Sequence, residues 1–395
     1  MSHKCDVLMI SNLYPPHVIG GYEIAAYDIA SCLRERGLRV IVLTSDHESS
    51  QIEEPDSSVI RSLRLSGFWG ERVPLKPWEK KSIYNHNSLI LTRLINELRP
   101  RLIYIWNITY LGLSVLEVIE TSSVPALHHI MGYDLLNELR PSGNSFGRYL
   151  KDRFLGRPRI TERLLPKNAI FISDYVLRQY RNGGITPLRS YVTHPGITCS
   201  DISVKHSYAY EHSTIKFVFL GQVTEHKGAL RLVETLEAMA VAYAKKNFVL
   251  TLLGTASTDL IMKFSSYRNI CIDYKGFQER ASIYSELSSY DIAFFPSLWD
   301  EPFGIAQLEL MAAGLPLCSS GQGGSSEPLI HGVNALIYDP FSTKSIRTTV
   351  DRIINSTSAY RANLGSNARK TVCDRFDKQN LADQVFSIIT DTMLN

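Results

Sequence analysis

Two glutamates, Glu301 and Glu309, flank a turn in the run Asp300-Glu-Pro-Phe-Gly-Ile-Ala-Gln-Leu-Glu309. Glu301 falls among proline and glycine, and Glu309 lies about one turn into an apolar helix that begins near Gly304. Such a segment aims helix N–H groups at an anion and sets one carboxylate on either side. A diphosphate between two sets of hydroxyls, as in a nucleotide sugar, suits that layout. A cation stands in a second run, Phe219-Leu-Gly-Gln-Val-Thr-Glu-His-Lys227-Gly228, at the end of an apolar stretch. A third run, Pro15-Pro-His-Val-Ile-Gly20-Gly21, precedes a helical pattern; paired glycines let backbone approach a ligand, and the helix start offers N–H groups to phosphate. A fourth is Pro125-Ala-Leu-His128-His129-Ile-Met131-Gly-Tyr-Asp134. Taken singly, Glu309 would read as a surface salt bridge, Lys227 as a solvated lysine and the histidines as core residues. Their order along the chain argues for more.

These residues need a scaffold that presents several loops together. At 395 residues the chain is too long for one ordinary core, so two domains are expected. Val7–Ile10, a helix from Tyr22 to Leu33 closed by Gly37, and Val40–Leu43 form a strand–helix–strand unit of the kind that builds parallel sheets. Further strands are expected at Leu102–Trp106, Val124–His128, Ala169–Ile172 and Tyr191–Thr193. After the polar stretch Cys199–Thr214 a second series follows, at Lys216–Leu220, Phe248–Leu253, Ile270–Tyr274, Ile292–Phe295 and Pro316–Ser319. Helical patterns such as Ala229–Tyr243 separate them. The fold class is therefore α/β, two doubly wound Rossmann-like domains facing a cleft. The expected boundaries are 1–200 and 201–375, with 376–395 a terminal helix that packs back on the first domain.

Composition narrows the function classes. The formal net charge is only +3, which argues against a dedicated nucleic-acid binder. Six scattered cysteines without a CxxC spacing read as free thiols in a reducing compartment. No apolar run approaches the roughly 20 residues of a membrane span, and the N-terminus has no signal-peptide pattern, so a cytoplasmic location is expected.

Over nearly the whole chain these motifs resemble the retaining family 4 glycosyltransferases of the GT-B fold. The likeness is densest from Phe294 to Pro340, where the two glutamates are followed by Ala-Gly-Leu-Pro and then Glu327-Pro-Leu-Ile-His-Gly. The resemblance implies that Glu301 lies beside the donor sugar, that Glu309 binds the nucleotide ribose, and that Phe303, Gly304 and Ile305 approach the donor. It implies that Lys227 and the Gly20-Gly21 loop hold the diphosphate, and that Lys275, Gly276 and Phe277 meet the nucleobase. Two positions depart from the family. Gln222 stands where an arginine is usual, and Met131 falls on the usual histidine, leaving His129 to serve one layer further in.

The implied activity is transfer of a hexose from a UDP- or GDP-sugar to a glycan or lipid-linked acceptor, with retention, as in polysaccharide biosynthesis. The catalytic set would be Glu301, Lys227 and His129. No cofactor and no metal are expected, since a cation and a helix N-terminus stabilise the leaving diphosphate. A GT-B nucleotide-sugar epimerase and a non-catalytic sugar-nucleotide binder are the alternatives. Two basic, aromatic stretches, Arg140–Lys167 and Arg61–Lys81, suggest peripheral contact with an anionic inner membrane face.

Overall fold

A computed structural model describes residues 4–47, 56–68, 74–139, 164–210 and 213–394. The chain divides into two compact units, one of Met1–Thr193 with Ala382–Asn395 and one of His194–Leu381.

The first unit is built on seven parallel strands: β1 (Val7–Ser11), β2 (Val40–Ser45), β3 (Val59–Leu63), β4 (Leu102–Asn107), β5 (Ala126–Ile130), β6 (Asn168–Phe171) and β7 (Arg189–Val192). Their order in the sheet is β3-β2-β1-β4-β5-β6-β7. β1 reads Val-Leu-Met-Ile-Ser and is buried along its whole length, as a strand covered on both faces must be. Helices such as Gly21–Glu35 and Pro77–Leu98 connect the strands. One core gathers Leu8, Ile10, Leu43, Ile103 and Ile105 with Leu91, Val115 and Ile119 from the helices. β3 escaped the sequence reading because it is Val-Ile-Arg-Ser-Leu, polar in the middle and buried only at its ends.

The second unit carries six strands: β8 (Thr214–Leu220), β9 (Asn247–Leu253), β10 (Cys271–Gly276), β11 (Ile292–Phe295), β12 (Leu317–Ser319) and β13 (Leu336–Ile337). Their order is β10-β9-β8-β11-β12-β13, again parallel throughout. Its core packs Phe217, Phe219, Phe248, Leu250 and Phe294 against Leu232, Leu236, Val350 and Ile353. β13, two residues long, was too short for a hydrophobic pattern to reveal.

One expectation is overturned. Cys199 and Cys373 form a disulfide, with Cα atoms 5.9 Å apart, across a sequence separation of 174. Spacing along the chain carries no trace of such a pair; the second unit brings the turn Cys199–Asp201 against the helix Ser358–Arg375. Cys5 and Cys318 are buried free thiols as expected, whereas Cys271 is exposed.

Candidate active site

In the second sheet β8 and β11 are neighbours although β9 and β10 intervene in the chain. Strand order reverses there, and ligands of such sheets settle outside the carboxyl ends at that point. Lys227 follows β8 and Glu301 follows β11. The Lys227 ammonium donates to both Glu301 oxygens, at 2.8 and 2.9 Å, and lies 5.0 Å from the centre of the Trp299 ring. Glu301 is only 3% exposed. Its backbone is pinned as well, since Gly324 N–H donates to its carbonyl at 2.7 Å. At Gly228 (φ 76°) a Cβ would sit 1.9 Å from the Pro296 carbonyl oxygen, so the loops after β8 and β11 meet backbone to backbone.

The helix Ile305–Ala312 starts beside them, with Gly304 at φ 96°. Glu309 is buried within it, and a single oxygen, Oε1, accepts from Arg280 Nε at 3.1 Å, Arg280 Nη2 at 3.0 Å and Tyr284 Oη at 2.8 Å. Burial pushes the Glu309 carboxyl above its ordinary range, while Arg280 and Tyr284 pull it back. The Tyr284 phenol is itself driven up, by burial and then by Glu309, and so remains a donor. Phe303 is buried beside His194 and Phe376. Lys275 is paired with Glu286, the main cause of its raised pKa. Gly276 takes φ 69° and Phe277 is exposed. Gln222 is exposed at the mouth of the β8 loop.

In the first unit the same reversal falls between β1 and β4. The Gly20-Gly21 turn follows β1, but two of its N–H groups are taken: Gly20 and Ile19 donate to Glu23 Oε2 at 3.0 and 3.3 Å. The two histidines of β5 part company. His128 Nε2 lies 2.7 Å from Glu120 Oε1, and both are buried, a structural pair. His129 Nδ1 lies 2.6 Å from Tyr104 Oη, with the Trp106 ring 4.6 Å away. Burial pushes the His129 imidazole down to about 3, so it is neutral at any physiological pH. Met131 accepts Tyr22 Oη at its carbonyl.

Comparison with known proteins settles the family. Residues 19–201 match the model of Glycosyltransferase Family 4, and residues 205–371 that of Glycosyl transferases group 1. The chain belongs to the family 4 glycosyltransferases. An uncharacterized glycosyltransferase of Methanocaldococcus jannaschii is 28% identical over 192 residues, 47% of each chain. The chain thus spans about half the length of that relative. A 42.6 kDa protein in the cps region of Klebsiella pneumoniae is 21% identical over 342 residues, covering 82% of this chain and 87% of its own. Among solved structures, the sucrose-phosphate synthase of Thermosynechococcus elongatus superposes with a TM-score of 0.72 at 16% identity, 98% of each chain. Anabaena HepE in complex with UDP-glucose gives 0.67 at 17% identity, 98% of this chain and 100% of that one. At such identities the likeness shows the fold, two Rossmann-like α/β domains of GT-B type.

Several participants were invisible in the sequence. Arg280 and Tyr284 lie on a different element from the Glu309 they hold, and Glu23 reads as an ordinary first-turn acid. For the membrane-facing expectation, residues 140–163 and Trp69 lie outside the described residues. Arg61 turns inward to the carbonyls of Tyr14 and Pro15, and Phe68 stacks on His47. Trp78, 59% exposed beside Lys76, remains on the surface. Among the described residues no helix is long and apolar enough to cross a membrane.

Proposed function

We propose that the chain transfers a hexose from a UDP- or GDP-sugar to a glycan or lipid-linked acceptor, with retention of configuration and without a metal ion. The observation that carries this reading is the Lys227–Glu301 pair at the strand-order reversal beside the Ile305–Ala312 helix start. Lys227 supplies the positive charge for the departing diphosphate, aided by that helix N-terminus. Glu301 and Glu309 accept hydroxyl hydrogens from the sugar and the ribose. The C1–O bond to phosphate breaks as the acceptor oxygen bonds to C1 on the same face, and the acceptor proton passes to the leaving phosphate. No protein nucleophile enters. His129, whose burial makes its imidazole a weak proton acceptor, serves as a hydrogen-bonding group at the sugar rather than as a base. The HepE neighbour's complex with UDP-glucose supports a nucleotide-sugar donor. A polysaccharide pathway at an inner membrane face, with Lys76 and Trp78 near the lipid, is part of the same reading.

The test is nucleotide release from UDP-glucose and GDP-mannose, in EDTA, with Glu301→Gln as control. Release should fall at least about 100-fold in the variant, and the NMR-assigned product should keep the donor's anomeric configuration. Full activity in Glu301→Gln would remove the site assignment, and an inverted product would remove the same-face route. Loss of release on chelation would remove metal independence.

A further inference from the structure

At the C-terminal end of the Glu309 helix, Ile305–Ala312, three successive carbonyls find their donors on two other segments. Arg369 Nη1 donates to Ala312 O, Lys205 N–H to Ala313 O at 2.9 Å, and Tyr208 Oη to Gly314 O at 2.8 Å. The Ala313 N–H in turn donates to the Glu309 carbonyl at 3.1 Å. Arg369 belongs to the helix Ser358–Arg375, and Lys205 and Tyr208 to the stretch that follows the turn Cys199–Asp201. The Cys199–Cys373 bond joins those same two segments. A Cβ on Gly365 would lie 2.1 Å from the Gly314 carbonyl oxygen, so the long helix meets this end backbone to backbone. The turn also reaches Glu309 by a second route. Ser203 N–H donates to the Tyr284 carbonyl at 3.1 Å, and the Asp201 carboxylate acts electrostatically on the Tyr284 phenol that donates to Glu309 Oε1. How the turn is held therefore bears on Glu309 twice, through its helix and through its hydrogen-bond donor.

The surroundings of the bond suit thiol exchange. Cys373 is partly exposed, which gives a small thiol access, and Cys199 is buried behind it. Cys5, Cys32, Cys271 and Cys318 remain free thiols. A chain that keeps free thiols beside one bonded pair fits a thiol-buffered setting, where disulfides are usually transient or redox-sensing. Arg369 Nη2, at 3.2 Å from the Cys199 carbonyl, brings a positive charge to the pair, which favours the thiolate that exchange requires.

We propose that the Cys199–Cys373 bond is a thiol–disulfide switch on donor affinity. Closed, it locks together the two segments that cap the Glu309 helix; opened, it lets that end loosen and weakens nucleotide binding. The reductant is a small thiol of the glutathione class. Its thiolate attacks the Cys373 sulfur, the S–S bond breaks, and Cys199 leaves as a thiolate that takes up a proton. A second glutathione thiolate then attacks the mixed disulfide, glutathione disulfide departs, and Cys373 takes up the second proton. Two electrons pass from two glutathiones to the cysteine pair, and glutathione disulfide closes the bond by the reverse steps. The switch rests on the nucleotide-sugar reading and adds regulation to that same site.

The experiment equilibrates the full chain with glutathione and glutathione disulfide at a series of ratios and counts free thiols by alkylation and mass. The oxidised and reduced forms are then titrated with UDP and with GDP by fluorescence. The reduced form should bind the preferred nucleotide at least about fivefold more weakly, the lower end of couplings between sites. Cys199→Ser and Cys373→Ser should each show the weaker affinity at every ratio, while Cys271→Ser should keep the full redox response. Circular dichroism of the reduced form should match that of the oxidised form. Equal affinity in the two forms, a bond that glutathione does not open, or loss of the folded spectrum on reduction would each overturn the switch. Nucleotide release from UDP-glucose and GDP-mannose by the oxidised form is measured in parallel. Neither binding nor release by either form would remove the donor reading and the switch with it, whereas release with equal affinities would remove the switch alone.

Discussion

Lys227 and Glu301 neutralise each other across two loops, and in the proposed reaction the donor takes the ammonium away from the carboxylate. With Glu301 buried, removing its partner leaves a charge without compensation, which costs about 3–5 kcal/mol in comparable pairs. Lys227→Met should therefore destabilise the chain by about that much in urea melts, and adding Glu301→Gln should restore most of it. Additive losses in the double variant would show that the two side chains are not coupled. Glu309 gives a pH signature. Its pKa is raised in the folded chain, so the fold binds this proton more tightly than the unfolded chain does. That stability is present at low pH and is lost as pH rises through the raised pKa. In the proposed ribose role Glu309 accepts in its ionised form, so donor affinity should fall as pH drops through the same value. Arg280→Met removes the guanidinium charge that opposes burial, and the acid limb of donor affinity should move to higher pH. A limb that stays put in fluorescence titrations would exclude Arg280 from holding that charge.

At the scale of elements, glycines set how closely loops approach. Gly304 and Gly228 both have positive φ, which costs an L-residue about 1–2 kcal/mol. Beyond that they differ. A Cβ at Gly304 meets the edge of the Phe295 ring at 2.9 Å, whereas at Gly228 it would lie 1.9 Å from the Pro296 carbonyl oxygen. A ring can tilt and a backbone carbonyl between two strand-end loops cannot. Gly228→Ala should thus cost clearly more stability than Gly304→Ala in denaturant melts, and equal losses would refute the steric ranking. This is also where the sequence was most readable. Continuous apolar runs such as Ile292–Phe295 matched their strands because strands covered on both faces leave no polar position to confuse the pattern. Glu301, Lys227 and the Gly304 helix start were legible because each sits in a turn next to such a run. Arg280, Tyr284 and Glu23 were not, since their roles depend on which oxygen they reach across space. Within the Arg61–Lys81 stretch the inward turn of Arg61 was hidden for the same reason, because β3 brings that guanidinium to the carbonyls of Tyr14 and Pro15.

At the scale of the whole molecule, the chain passes from the first unit to the second after Thr193 and returns after Leu381. Within the second unit the two segments next to those passages are fastened together. Ile197 N–H donates to Phe376 O at 2.9 Å, and Lys378 N–H to Ile197 O at 3.2 Å. Arg369 Nη2 donates to Cys199 O at 3.2 Å, and the Cys199–Cys373 bond closes the loop covalently. Closing a loop of that length removes unfolded-state entropy worth up to about 5 kcal/mol in the chain-entropy model. The gain acts only on the residues inside the loop, all of them in the second unit. Cys199→Ser should therefore lower amide-exchange protection in β8 and β9 by as much as that, with β1 and β4 unchanged, because each sheet has its own core. The hydrogen bonds around the bond persist without it, so the fold should survive the substitution. Equal loss of protection in β1 and β4 would mean that the two units open together, and the independence of their cores would have to be given up.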